Sequence, residues 1–126
     1  MTPLICYDLR FPELFRAAAM ATDLFVVTAN WPAHRGRAWR TLLAARAIDD
    51  QAWVLGVNRV GDVDGYPHSG DSSLVDPWGK VVATVADEPG IVAGNVAARV
   101  VREARTRFRF LDDRRPDLYR RLEDED

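Results

Sequence analysis

Leu24-Phe25-Val26-Val27-Thr28-Ala29 is apolar almost without a break and only six residues long. A strand with one wet face alternates apolar and polar residues. A continuous run of this length reads instead as a parallel strand covered on both faces. Trp53-Val54-Leu55-Gly56-Val57-Asn58 repeats the pattern. Between the two, from about Arg37 to Gln51, Trp39, Leu42, Leu43, Ala47 and Ile48 recur at helical spacing. Strand, helix and strand in this order form a parallel crossover unit. Upstream, Leu4-Ile5-Cys6-Tyr7 reads as the end of a further buried strand. The segment from Asp8 to Glu13 then turns into a helix. Pro12 suits its first turn, where a missing N–H costs nothing, and Glu13 favours its positive end. Leu14, Phe15, Ala18 and Ala19 continue its apolar face to about Ala21.

Downstream, Asn30 to His34 reads as loop, as does the Gly- and Asp-rich stretch from Gly61 to Gly70. Ser72–Val75 and Val81–Val85 flank Asp76-Pro77-Trp78-Gly79, whose Pro and Gly positions specify a β-turn and hence a hairpin. Glu88-Pro89-Gly90 turns the chain into Ile91–Val96, expected to be a neighbouring antiparallel strand. The whole is an α/β protein with a mixed sheet. From Arg99 the character changes: nine arginines stand against eight acidic residues through Asp126. A short helix from about Ala97 to Arg105 is expected there. Beyond it, Phe108, Phe110, Leu111, Leu118, Tyr119 and Leu122 are spaced as anchors of a tail laid on another surface, and Glu123–Asp126 read as solvated. The division is thus 1–98 and 99–126.

Composition narrows the field further. In 126 residues, 48% hydrophobic and 29% charged, there is enough apolar material for a core, and a chain of this size buries roughly two-thirds of its unfolded surface. A net charge of −2 argues against general nucleic-acid binding. No run approaches a membrane span, and no basic-then-apolar leader is visible, so a cytoplasmic location is expected. Of 17 basic residues one, Lys80, is lysine, and Cys6 is the single cysteine.

A lone cysteine is either a small buried hydrophobe or a nucleophile. At a strand's exit, one turn before a helix, its side chain is lifted toward the crevice at the strands' carboxyl ends, where backbone amides can favour a thiolate and an oxyanion. Placement alone leaves both readings open. A third, a redox-sensing thiol, needs no partner residues. Asp62-Val63-Asp64-Gly65 lacks the later ligands of a calcium loop and reads as a turn. His34 and His68 have no motif around them and read as exposed loop histidines. No metal or cofactor is called for.

Ile5-Cys6-Tyr7-Asp8-Leu9-Arg10-Phe11-Pro12-Glu13-Leu14-Phe15-Arg16 resembles the nucleophile segment of the nitrilase superfamily of carbon–nitrogen hydrolases. The resemblance continues in order through Ala29-Asn30-Trp31-Pro32, Trp39 with Ala45-Arg46-Ala47-Ile48 and Gln51, and Gly56-Val57-Asn58-Arg59-Val60-Gly61. Ser69-Gly70-Asp71-Ser72, Asp76-Pro77-Trp78-Gly79 and the stretch Phe108–Tyr119 extend it, and the omega-amidase branch is the nearest in pattern. It implies cysteine attack on a small carboxylate-bearing amide through a thioester. Cys6 would be the nucleophile and the backbone N–H of Tyr7 an oxyanion donor. Arg10 would hold the remote carboxylate, its alternative being an ion pair with Asp8 or Glu13. Asn30 and Trp31 would line the pocket, Trp31 equally suiting a packing role.

The resemblance also implies half of an α-β-β-α sandwich: one mixed sheet, helices on one face, and a C-terminal extension. The family's general-base glutamates and its lysine lie upstream of the cysteine, where only Met1 to Ile5 stand here. Lys80, after the hairpin turn, and Glu13, inside a helix, are not their replacements. Asp49 stands where the family usually has glutamate. The expectation is therefore the C-terminal half of an amidase, beginning at a misassigned start or a real truncation and inactive alone. A homodimer or larger oligomer is implied through the helices and tail. The rival reading is a non-catalytic remnant stable only in an assembly.

Overall fold

The computed structural model describes residues 1–124; Glu125 and Asp126, the end of the stretch read as solvated, lie outside them. Strands β1 (Thr2–Ile5), β2 (Leu24–Ala29), β3 (Trp53–Asn58), β6 (Ser72–Val75) and β7 (Val81–Val85) form one sheet in the order β1-β2-β3-β6-β7. The first three run parallel, with Ile5 beside Thr28 and Ala29 beside Asn58, and β6 and β7 are antiparallel. This is the expected mixed sheet. The parallel strands are joined by α1 (Pro12–Ala18) and α2 (Gly36–Asp50).

Both helices cover one face. Phe25, Val27, Val54 and Val75 of the sheet pack with Phe15, Trp39, Leu43 and Ala47 in a single core cluster. At the crossing of α2 and β3 there is no space for a side chain: a Cβ on Gly56 would lie 2.6 Å from Leu43 Cδ1 and 2.7 Å from Trp39 Cζ2. The glycine in a strand of otherwise larger residues is what lets the helix approach.

The second face is covered only toward the strands' amino-terminal ends. There α3 (Ala98–Arg107) places Val101 against Trp53 and Leu74, with Leu24, Leu55 and Val92 around them. Gln51, the left-handed cap of α2, donates from Nε2 to the carbonyls of Ala104 and Phe108. Arg105 Nη2 reaches the carbonyls of Ala19, Thr22 and Asp50 at 2.9–3.0 Å. Toward the carboxyl ends the same face is bare, with Ile5 70% and Val57 43% exposed.

Four expectations need correction. Leu4-Ile5-Cys6-Tyr7 is not the end of a buried strand: β1 stops at Ile5, which is exposed, and Cys6 and Tyr7 belong to the turn that follows. Ile91–Val96 is not a strand: it crosses the second face, with Val92 against the cluster and Gly94 so close to Leu74 that a Cβ would meet Cδ2 at 2.6 Å. The stretch Gly61–Gly70 is no loop but a hairpin, β4 (Val60–Val63) and β5 (Tyr66–Ser69). Its turn is Asp64-Gly65, both at positive φ, with Asp62 Oδ1 accepting from the Gly65 N–H; two central residues at positive φ suit a tight hairpin. His68 accordingly sits buried in a strand, its Nδ1 2.8 Å from the Tyr66 carbonyl. The tail also forms a helix, α4 (Pro116–Asp124), which leaves Leu118, Tyr119 and Leu122 exposed; of the expected anchors Leu111 is buried.

Candidate active site

Cys6 follows β1, Asn30 follows β2 and Asn58 ends β3, so the carboxyl ends of the three parallel strands bring these residues to one rim. This is where open α/β sheets place their ligands. Cys6 opens a five-residue 3₁₀ turn, Cys6–Arg10, and has φ 37°. A non-glycine residue in the left-handed region costs roughly 1–2 kcal/mol, and it persists because the surroundings fix it. Two contacts do so. Asp8 Oδ2 accepts from the Ile5 N–H at 2.9 Å, closing the turn from below. Arg46 of α2, almost fully buried, donates from Nε and Nη2 to the Leu9 carbonyl. Burial pushes the Arg46 guanidinium pKa down, against the attraction of Asp49, Asp50 and Glu13.

The thiol is half-buried at a cleft of about 140 Å³ lined by Cys6, Tyr7, Arg10, Asn30, Trp31, Pro32 and Arg35. All five residues expected at the site from sequence therefore share one cavity. Arg10 forms no ion pair with Asp8 or Glu13 among the described residues; its guanidinium lies over the Trp31 ring, 4.8 Å from the centroid. Trp31 is both pocket wall and core. It is 4% exposed, packs 5.6 Å from the Trp39 ring centroid, and donates from Nε1 to the Arg35 carbonyl. The Tyr7 side chain is exposed and stacks edge-on with Phe11.

Two residues were not singled out from sequence. Asn58 clamps the Trp31 backbone and donates to the Gly70 carbonyl. Arg35, in the short turn before α2, enters the cleft. His34 and His68 do not line the cavity that holds Cys6. Lys80 sits in the β6–β7 turn beside the start of β3, at the opposite end of the sheet from Cys6. Among the described residues, no group of His, Cys, Asp and Glu could hold a metal ion, and no helix is long and apolar enough to cross a membrane.

Cys6, Arg10 and Arg35 thus line one cleft at the carboxyl ends of parallel strands, the place where open α/β sheets bind their ligands. Residues 1–106 match the carbon–nitrogen hydrolase family, and the chain belongs to it. It is 38% identical over 117 residues to the 2-oxoglutaramate amidase of Bacillus subtilis, covering 92% of this chain and 45% of that protein. It is 44% identical over 108 residues to the omega-amidase YafV of Escherichia coli, covering 84% of this chain and 42% of the relative. Among solved structures, a CN-hydrolase superfamily protein from Xanthomonas campestris superposes with a TM-score of 0.84 at 36% identity, over 90% of this chain and 46% of that one. An amidase from Nesterenkonia, solved with acrylamide added to its active-site cysteine, superposes at 0.79 with 30% identity, over 95% and 44%. The chain thus spans less than half the length of these relatives, and its fold is the mixed sheet and helices of the nitrilase superfamily.

Proposed function

We propose that Cys6 is the nucleophile of an amidase acting on small, linear, carboxylate-bearing amides. The observation that carries this is the strained, half-buried thiol at the strand exit, sharing a cleft with Arg10 and Arg35, neither of which forms an ion pair among the described residues. Sγ attacks the amide carbonyl, forming a C–S bond. As the C–N bond breaks, ammonia leaves with a proton and a thioester remains. Water then attacks the thioester carbon, releasing the carboxylic acid and the thiol. The Tyr7 N–H precedes the first hydrogen-bonded position of the 3₁₀ turn, so it is open to an oxyanion. Arg10, held flat on Trp31, presents a fork shaped for the remote carboxylate. Asn30 and Trp31 are the walls.

Both proton transfers need a base, and no carboxylate lines the cleft. A general base commonly contributes about 10²–10⁴-fold, so the 126-residue chain alone is expected to be inactive. The bare upper half of the second sheet face supports a further layer of structure there, bringing the base. The exposed Leu118, Tyr119 and Leu122 on α4 support docking of the 99–126 extension on a second copy.

The test joins this chain to the amino-terminal portion of the Bacillus subtilis relative and measures ammonia from 2-oxoglutaramate. Release that Cys6→Ala abolishes with the fold intact is the expected result. A folded, monodisperse chimera that releases none, or a Cys6→Ala variant that still turns over, would overturn the reading.

A further inference from the structure

The cleft at Cys6 holds a second cation that the amidase reading leaves without a task. Arg35 lines it together with Arg10, and the ion pairs among the described residues involve neither arginine. Of the nearby acidic residues, Asp8 accepts from the Ile5 N–H and Asp71 takes Arg40 and the Ser69 hydroxyl, while Asp64 shares an adjoining cavity with Arg35 without pairing with it. Arg35 is nevertheless held in place. Its N–H donates to the Pro32 carbonyl, its carbonyl accepts from Trp31 Nε1, and its Nε lies 3.2 Å from His34 Nε2. The contact to His34 uses one of the five N–H groups and leaves the terminal nitrogens for a ligand. Two like charges lining so small a cavity repel one another, and an anion between them removes that cost.

We propose that Arg35 is a second substrate-anchoring residue, binding the anionic end of the amide together with Arg10 and setting a preference for doubly anchored acids over neutral amides. The proposal rests on the reading of Cys6 as an accessible nucleophile. Arg35 has no part in the bond-breaking steps. Its contribution is to concentrate and orient anions at the thiol, an effect that salt screens.

Alkylation of Cys6 tests this without catalysis. The thiolate displaces iodide from iodoacetate or from iodoacetamide, forming a C–S bond as the C–I bond breaks. The two reagents differ in charge, so their rate ratio cancels changes in thiolate fraction and access. Arg35→Gln is expected to lower the iodoacetate to iodoacetamide ratio by about threefold or more, and Arg35→Lys to restore most of it. In about 1 M salt the unsubstituted chain should lose the preference as well. Arg99→Gln, on α3, should leave the ratio where it was. Near-ultraviolet circular dichroism confirms that each variant is folded. An unchanged ratio in folded Arg35→Gln, with a drop in Arg10→Gln, overturns the role of Arg35 and leaves the amidase reading standing. A thiol that resists both reagents when folded, yet reacts in urea, overturns the nucleophile reading and the anchor with it.

Discussion

Asn58 holds Trp31 by both polar groups of its backbone: Oδ1 accepts from the Trp31 N–H at 2.7 Å and Nδ2 donates to the Trp31 carbonyl at 3.0 Å. A second Nδ2 contact reaches the Gly70 carbonyl at 2.8 Å, and the Asn58 backbone exchanges hydrogen bonds with the Ser72 hydroxyl. One amide at the end of β3 thereby fixes the loop after β2, the ring on which Arg10 lies, and the start of β6. The wall of the cleft is positioned from the neighbouring strand.

Replacing Asn58 with alanine removes three side-chain hydrogen bonds and leaves partly buried backbone groups unpaired. A loss of about 2–4 kcal/mol is expected, since each unsatisfied buried group costs roughly 1–3 kcal/mol. Urea denaturation measures it. Asn58→Asp keeps the acceptor but loses the Nδ2 donor and sets a charge beside two carbonyls, so it should fare no better.

Asp50 supplies a pH signature. It is 1% exposed, 2.9 Å from Arg16 Nε, and burial outweighs Arg16 to raise its pKa from 3.8 to about 6. Between pH 4 and 6 the folded chain therefore holds a proton on Asp50 that the unfolded chain has lost. Through this group stability falls as pH rises across that window, by about 1–3 kcal/mol. Other carboxylates contribute their own slopes, so the readout is a difference: thermal melts from pH 4 to 7 for the unsubstituted chain minus those for Asp50→Asn. The difference should tilt downward with rising pH; a flat difference would mean that Asp50 is ionised across the window.

The left-handed backbone at Cys6 makes a further prediction. Cys6→Ala keeps a Cβ at φ 37° and so keeps the strain. Cys6→Gly relieves it, and should be more stable than Cys6→Ala by about 1 kcal/mol. The usual order at an extended or helical position is the reverse. Chemical denaturation of the two variants decides it.

What the sequence made legible followed from strong local patterns. The apolar runs at Leu24–Ala29 and Trp53–Asn58 matched two of the three parallel strands to the residue, although their second face is covered only toward the amino-terminal ends and leaves Thr28 and Val57 exposed. The Pro-Gly turn at Asp76–Gly79 likewise fixed its hairpin. Asp64-Gly65 carries an equally direct hairpin signal, but the polar strands around it have no apolar alternation and read as loop. Ile91–Val96 failed for the opposite reason: it is apolar at strand length, yet it is spent covering the second face instead of pairing at the edge of β7. At the cleft, Cys6, Arg10, Asn30 and Trp31 were expected together through the resemblance, and they line one cavity. Arg35 and Asn58 act through tertiary placement, one entering a cleft from a turn and the other gripping a loop from the adjacent strand, and spacing along the chain encodes neither.

The most direct measurement is the fate of an activated ester. The p-nitrophenyl monoester of glutaric acid needs no protonation of its leaving group, so Cys6 can be acylated without the base that the cleft lacks. A single burst of p-nitrophenolate, one equivalent per chain, is predicted, with one glutaryl group on Cys6 by peptide mass spectrometry and no sustained turnover. Acylation of a different residue, or a burst that survives in Cys6→Ala, would contradict the assignment of this thiol as the amidase nucleophile.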